Sequence, residues 1–179
     1  MKEETLIAYL QGPESMRPQE LVYGMVREAP GPFYGHQEIV TVLAARLVTH
    51  VMERRLGVVC VAPIDVVLDA PRKLVVQPDV IFISESRRHI IKDVVWGAPD
   101  LAIEVLSSST AARDRTVKVG WYQQYGVREC WLIDQQARTI EVLALAQGTD
   151  ARRTFANDQY LVSAVLPDLV LQLADLYGS

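Results

Sequence analysis

Between His36 and Leu56 the apolar residues Ile39, Val42, Leu43, Leu47, Val51 and Leu56 recur at helical spacing, and Gly57 follows as a stop signal. The pattern predicts a long helix over 36–56. Before it, Leu21, Val22, Met25 and Val26 flank Gly24, and Ala29-Pro30-Gly31-Pro32 breaks the chain, so 20–28 reads as a short strand or hairpin. Four β-branched or apolar runs bounded by Pro, Asp and Ser predict strands over 58–62, 64–68, 80–83 and 101–106. Ser107-Ser108-Ser109-Thr110 offers capping hydroxyls to a helix over about 112–125, stopped by Gly126. Strands over 130–133 and 139–145 follow, and the apolar tail 160–177, divided by Pro167, predicts a strand and a short helix packed back on the body. Helix, strands, helix and further strands imply a mixed sheet with helices on its faces. Without repeats, low-complexity tracts or a linker, 1–179 reads as a single domain.

Composition narrows the class. Half the residues are apolar and 22% charged, as in a globular chain. The apolar run near the start, Leu6 to Leu10, is too short and too acidic in its flanks for a signal peptide. No stretch reaches the ~18 apolar residues of a membrane span. A cytoplasmic protein is expected. Cys60 and Cys130 lack zinc-ligand spacing and read as buried structural thiols. The net charge of −4 argues against a strongly basic nucleic-acid binder, although short basic clusters occur at Arg72-Lys73, Arg87-Arg88-His89 and Arg113/Arg115/Lys118.

The candidate chemistry lies in the middle third. Gln77-Pro78-Asp79 puts a carboxylate where a strand begins, and Glu104 stands inside the apolar run Leu101-Ala102-Ile103-Glu104-Val105-Leu106. An Asp at a strand start is commonly a turn or cap residue. A carboxylate inside such a run is costly unless paired, so Glu104 reads as functional, as half of a buried ion pair, or as an edge residue. Lys118, four residues after Asp114 on the predicted helix, is its obvious partner. The simpler alternative pairs Lys118 with Asp114 on an exposed face.

At this point the chain resembles a known family. Gln77-Pro78-Asp79-Val80, the run from Pro99 to Ser107, Asp114 through Lys118 to Tyr122, Gly126-Val127-Arg128-Glu129-Cys130-Trp131 and Ile133-Asp134 are similar to the Uma2 group of putative restriction endonucleases. Gly31-Pro32, His36-Gln37-Glu38-Ile39 and Val165-Leu166-Pro167 extend the resemblance over most of the chain. It implies a PD-(D/E)XK nuclease-type α/β fold: a restriction-endonuclease-like mixed central sheet flanked by helices, with an added N-terminal strand and helix region. It also implies two acidic metal ligands and a lysine. The superfamily places that lysine two residues after the second acid, where this chain has Leu106, and the resemblance to this group carries the role to Lys118.

Asp100 competes with Asp79 as first acid. On one continuous strand Asp100 and Glu104 would stand about 13 Å apart, too far to share an ion, whereas neighbouring strands are ~4.8 Å apart. Asp79 is therefore preferred, and Asp100 is read as a turn residue. The expected site is Asp79, Glu104 and Lys118, with Asp79 and Glu104 holding Mg²⁺ or Mn²⁺ for hydrolysis of DNA, in a homodimer. His36, Glu38 and Tyr122 are further candidates; Trp121 and Trp131 read as core. The resemblance leads us to expect an acid near position 25, where Met25 stands. That departure, Leu106 and the acidic net charge favour the alternative, a nuclease-fold binding or assembly module without turnover.

Overall fold

The computed structural model describes residues 2–13, 17–107, 110–147, 151–156 and 158–177. Its long helix, α2 (Tyr34–Arg54), buries the stripe Ile39, Leu43, Leu47 and Val51. The helix ends differently from expectation. Arg55 takes the left-handed conformation at the cap, with φ 54°, and the Leu56 amide donates to Val51 O at 3.0 Å. Gly57 instead opens strand β4 (Gly57–Val61), where an added Cβ would lie 2.0 Å from Ile83 O. That glycine answers to a close approach of strands, not to the helix.

The stripe of α2 packs on a six-stranded mixed sheet of order β12-β11-β10-β9-β7-β4. Its members besides β4 are β7 (Val80–Ser84), β9 (Leu101–Leu106), β10 (Glu129–Asp134), β11 (Thr139–Ala144) and β12 (Arg152–Ala156). β9 runs parallel to β10 and antiparallel to β7, and all six of its residues are buried. Side chains alternate along it. Leu101, Ile103 and Val105 join the core beneath α2, while Ala102 and Leu106 join a second core with Val119, Trp121 and Tyr122. Glu104 shares the second face.

The expected mixed central sheet is joined by a second sheet, which takes in the N-terminal strands. The second sheet has the order β1-β3-β2-β6-β5-β8 and consists of β1 (Lys2–Glu3), β2 (Gln19–Val22), β3 (Met25–Glu28), β5 (Val66–Asp69), β6 (Leu74–Val76) and β8 (Val95–Trp96). The hairpin read at 20–28 is β2 and β3, turning through Tyr23 and Gly24 at positive φ. It adds to the sheet by pairing Leu21 with Val75 and Val22 with Leu74. The short helix α1 (Leu6–Leu10) covers the outer face, with Leu6, Tyr9 and Leu10 against Leu21, Val67 and Val75.

The helix expected over 112–125 is composite: α3 (Ala111–Arg113), a π-helical turn Asp114–Lys118, and α4 (Val119–Tyr125), capped by Gly126 at φ 90°. A π turn resets the rotation of the helix beyond it. Here both Asp114 and Lys118 are buried. The tail contributes the bridge Tyr160↔Gln172 and a 3₁₀ turn Leu173–Leu176 to the core under α2. Buried Glu129 ties it down, accepting from Ser163 Oγ at 2.6 Å and Ala164 N at 2.7 Å. Cys130 is buried as expected, but Cys60 is only half-buried, because β4 is an edge strand.

Candidate active site

Asp79 stands immediately before β7, whose Val80 pairs with Ile103 of β9. The next antiparallel position sets Asp79 beside Glu104, on the face that Glu104 shares. Asp79 Oδ2 accepts from Val105 N at 2.7 Å and lies 3.3 Å from His36 Nε2 in the first turn of α2. Three separate elements therefore meet at one carboxylate. Its backbone is held as well, since Ala62 N donates to Asp79 O at 2.9 Å.

Glu104, 4% exposed, is engaged from the composite helix. Lys118 Nζ lies 2.6 Å from Glu104 Oε1, and the buried Tyr122 hydroxyl donates to the same oxygen. The ammonium also reaches Glu20 Oε1 of β2 at 3.1 Å, and Arg113 Nη2 lies 2.6 Å from Glu20 Oε2. Arg113 is itself laid over the Trp121 ring, 5.2 Å from its centroid. Asp79, Glu104, Lys118, Glu20 and Asp114 line one cleft of about 620 Å³. Lys118 is 4% exposed, so its reading as a solvated partner of Asp114 is overturned.

The cleft holds more buried carboxylate than buried cation, and the titrations reflect it. Burial pushes the Glu104 carboxyl up to about 8; Lys118 offsets part of this, and the charges of Asp79 and Asp114 add to it. Burial likewise raises Asp114, with Lys118 opposing. Glu20 is held below the ordinary carboxylate range, because Lys118 and Arg113 outweigh its burial. Lys118 itself is raised: burial opposes its charge, but Glu104, Glu20 and Asp114 more than restore it. For His36, too, the hydrogen bond and charge of Asp79 overcome burial and raise the imidazole.

The other candidates separate cleanly. Asp100 does directly precede β9, yet it is fully buried away from the cleft, accepting from Ser84 N at 2.8 Å and paired with Arg87 and Arg128. Glu38 is not among the cleft-lining residues, whereas His36 is. Ser107 and Thr110 line the cleft with their hydroxyls 2.9 Å apart; Ser108 and Ser109 fall outside the described residues. Trp131 and Trp121 are core. Met25 does not line the cleft, whereas Glu20 on the neighbouring strand does. Neither Glu20 nor Arg113 belongs to the site expected from the sequence, yet both line the cleft. A glutamate directly before the apolar pair Leu21-Val22, of which Leu21 is fully buried, was the available signal.

Among the described residues no three His, Cys, Asp or Glu side chains converge as a ready-made metal cage. Mg²⁺ is ordinarily held by one or two carboxylates together with waters and substrate phosphates. Asp79 and Glu104, with lone pairs beyond those used by Val105 N, His36, Lys118 and Tyr122, fit that donor set. Burial is the main cause that raises the Glu104 carboxyl, and a divalent cation beside it would favour the ionised form.

A search of solved structures matched this fold to a putative nuclease belonging to DUF820 from Anabaena variabilis, with a TM-score of 0.80, 22% identity and 96% of each chain covered. No match was found among curated proteins. The family model described as "Putative restriction endonuclease" matches residues 7–174, and the chain thus belongs to the Uma2 family.

Proposed function

We propose that this chain is a Mg²⁺-dependent endodeoxyribonuclease, with Mn²⁺ as an acceptable substitute, acting through Asp79, Glu104 and Lys118. The observation that carries the reading is the Lys118 ammonium 2.6 Å from Glu104, in a cleft shared with Asp79 and overloaded with buried carboxylate. Asp79 and Glu104 would hold the ion. When bound it supplies a water of lowered pKa and offsets charge developing on the phosphate. The chain's own residues do the rest. Lys118, kept protonated by three acidic neighbours, presents an N–H donor to a developing oxyanion. Tyr122 and Lys118 together fix the Glu104 carboxylate, and Val105 N and His36 fix that of Asp79.

The chain acts as one domain in the cytoplasm, a compartment that suits the free thiols of Cys60 and Cys130. Among the described residues no helix is long and apolar enough to cross a membrane. Cutting both strands of a duplex calls for two sites, so a two-fold homodimer is expected. Light scattering that finds only single chains at micromolar concentration would restrict the protein to nicking.

A second reading, a binding module without turnover, is favoured by one observation: Lys118 is already shared between Glu104 and Glu20. Purified protein should nick supercoiled plasmid in Mg²⁺, stop in EDTA, and lose activity on Glu104→Ala. Plasmid left intact by the wild type in both Mg²⁺ and Mn²⁺ would favour the second reading.

A further inference from the structure

Phe33 and Tyr34 are the most exposed large apolar side chains of the described residues, at 81% and 80%. They are adjacent in sequence, where the chain enters α2. Phe33 lines the cleft that holds Asp79 and Glu104, and His36, which contacts Asp79, follows one helical turn later. Among the described residues neither ring stacks on another aromatic ring. Exposing two adjacent aromatics to water is unfavourable, and such a patch marks a place where something binds.

The approach to these rings is stiff. Pro30 and Pro32 restrict the backbone before Phe33, which caps α2 with extended dihedrals of −78° and 162°, and Tyr34 is the first residue of that helix. Rings presented on so constrained a segment lose little conformational freedom when covered. The same cleft wall carries Arg27, exposed on β3. An exposed ring and an exposed arginine lining one cleft is the arrangement by which proteins hold single-stranded nucleic acid: bases stack while the backbone follows the cations.

From this geometry we infer that Phe33 and Tyr34 form a stacking platform for unpaired nucleobases, so that the preferred substrate is a single-stranded or locally opened strand rather than an intact duplex. The inference rests on the proposed function, in that a nucleic-acid strand occupies the cleft. In a paired duplex the base faces are stacked on one another and unavailable to the rings. A strand with exposed bases has no such obstacle.

The test measures fluorescence anisotropy of a labelled mixed-sequence single strand, the same strand made abasic, and a blunt duplex, all in EDTA so that no cleavage intervenes. Wild type should bind the base-bearing strand more tightly than either of the others. The double variant Phe33→Ala/Tyr34→Ala should bind it at least ~5-fold more weakly, the low end for loss of one stacked base, while abasic binding stays unchanged. Both positions are exposed, so the variant should melt as the wild type does. Equal affinity of wild type and variant for the base-bearing strand would overturn the inference. So would wild-type binding indifferent to the presence of bases, or absent up to roughly 100 µM strand, the weak limit of non-specific binding. A wild-type dimer that becomes monomeric in the variant, with strand affinity unchanged, would assign the rings to a second copy of the chain. Plasmid nicking in Mg²⁺, measured in parallel, separates the two claims. Nicking without base-dependent binding sinks only the platform, whereas base-dependent binding without nicking sinks only the nuclease.

Discussion

Glu104 carries the sharpest conflict of any single residue, and the conflict makes stability depend on pH. Its folded carboxyl titrates at about 8 against 4.5 for an ordinary glutamate, with burial as the main cause. Between those values the native state holds a proton that the unfolded chain has released, so metal-free stability falls as pH rises, by at most ~1.4 kcal/mol per pH unit for one proton. Glu20 acts in the opposite sense. Its depressed pKa contributes stability that is present above the ordinary glutamate value and is lost as pH falls through the folded one. Melting temperatures in EDTA should therefore decline from mildly acidic to mildly basic pH, and Glu104→Gln should flatten that limb; parallel curves would trace it to another group. Lys118 poses the complementary case. A surface lysine could be removed at little cost to stability, but Lys118 separates the buried carboxylates of Glu104 and Glu20. Lys118→Ala should abolish cleavage and also cost about 3–5 kcal/mol, roughly 10 °C in a domain of this size. Unchanged melting by scanning fluorimetry would mean that the ammonium is solvated.

At the scale of elements, the composite helix decides where that ammonium points. Arg115, inside the π turn, reaches Asp134 Oδ2 of β10 at 2.8 Å and is ion-paired with Glu141 of β11. It clamps the turn to the sheet. Arg115→Ala should cost about 1 kcal/mol, since the guanidinium is partly exposed. It should also lower kcat with little change in metal affinity, as the Lys118 turn loosens while Asp79 and Glu104 stay put. A loss of metal binding, followed calorimetrically, would show that the turn also shapes the ion's site. Asp79 and Glu104 were legible in the sequence because each interrupts or begins a strand whose apolar run is strong enough to read, and β9 begins and ends where its run does. The π turn was not, because a heptad-like pattern does not report one inserted residue. β6 and β8, with three and two residues, are too short to show a period. Glu20 escaped for a different reason. It reaches Lys118 only because β2 pairs with β6, joining segments more than fifty positions apart, and no local spacing encodes that.

For the whole molecule, the proposed function requires that a chain of net charge −4 hold a polyanion. Of the cations lining the cleft, Lys118 and Arg113 are already committed to Glu104 and Glu20. Arg27, exposed in the cleft lining, is the candidate for a phosphate contact, so electrostatic attraction supplies little of the affinity. Neutralising about one phosphate on a single strand gives a slope of log K against log salt of about −0.7, far shallower than that of basic DNA-binding proteins. A divalent ion at Asp79 and Glu104 would then strengthen binding as well as serve the chemistry, because it converts the most negative part of the cleft into an attractive one. Single-strand affinity measured over a range of KCl should show the shallow slope in EDTA. Added Ca²⁺, a hard cation suited to the same oxygen donors, should tighten binding without making the salt slope steeper than that of Arg27 alone. Arg27→Ala should reduce the slope by about 0.7. A slope steeper than about −4 in EDTA would place the nucleic acid on basic surface outside this cleft, and with it the substrate path argued from Asp79, Glu104 and Lys118.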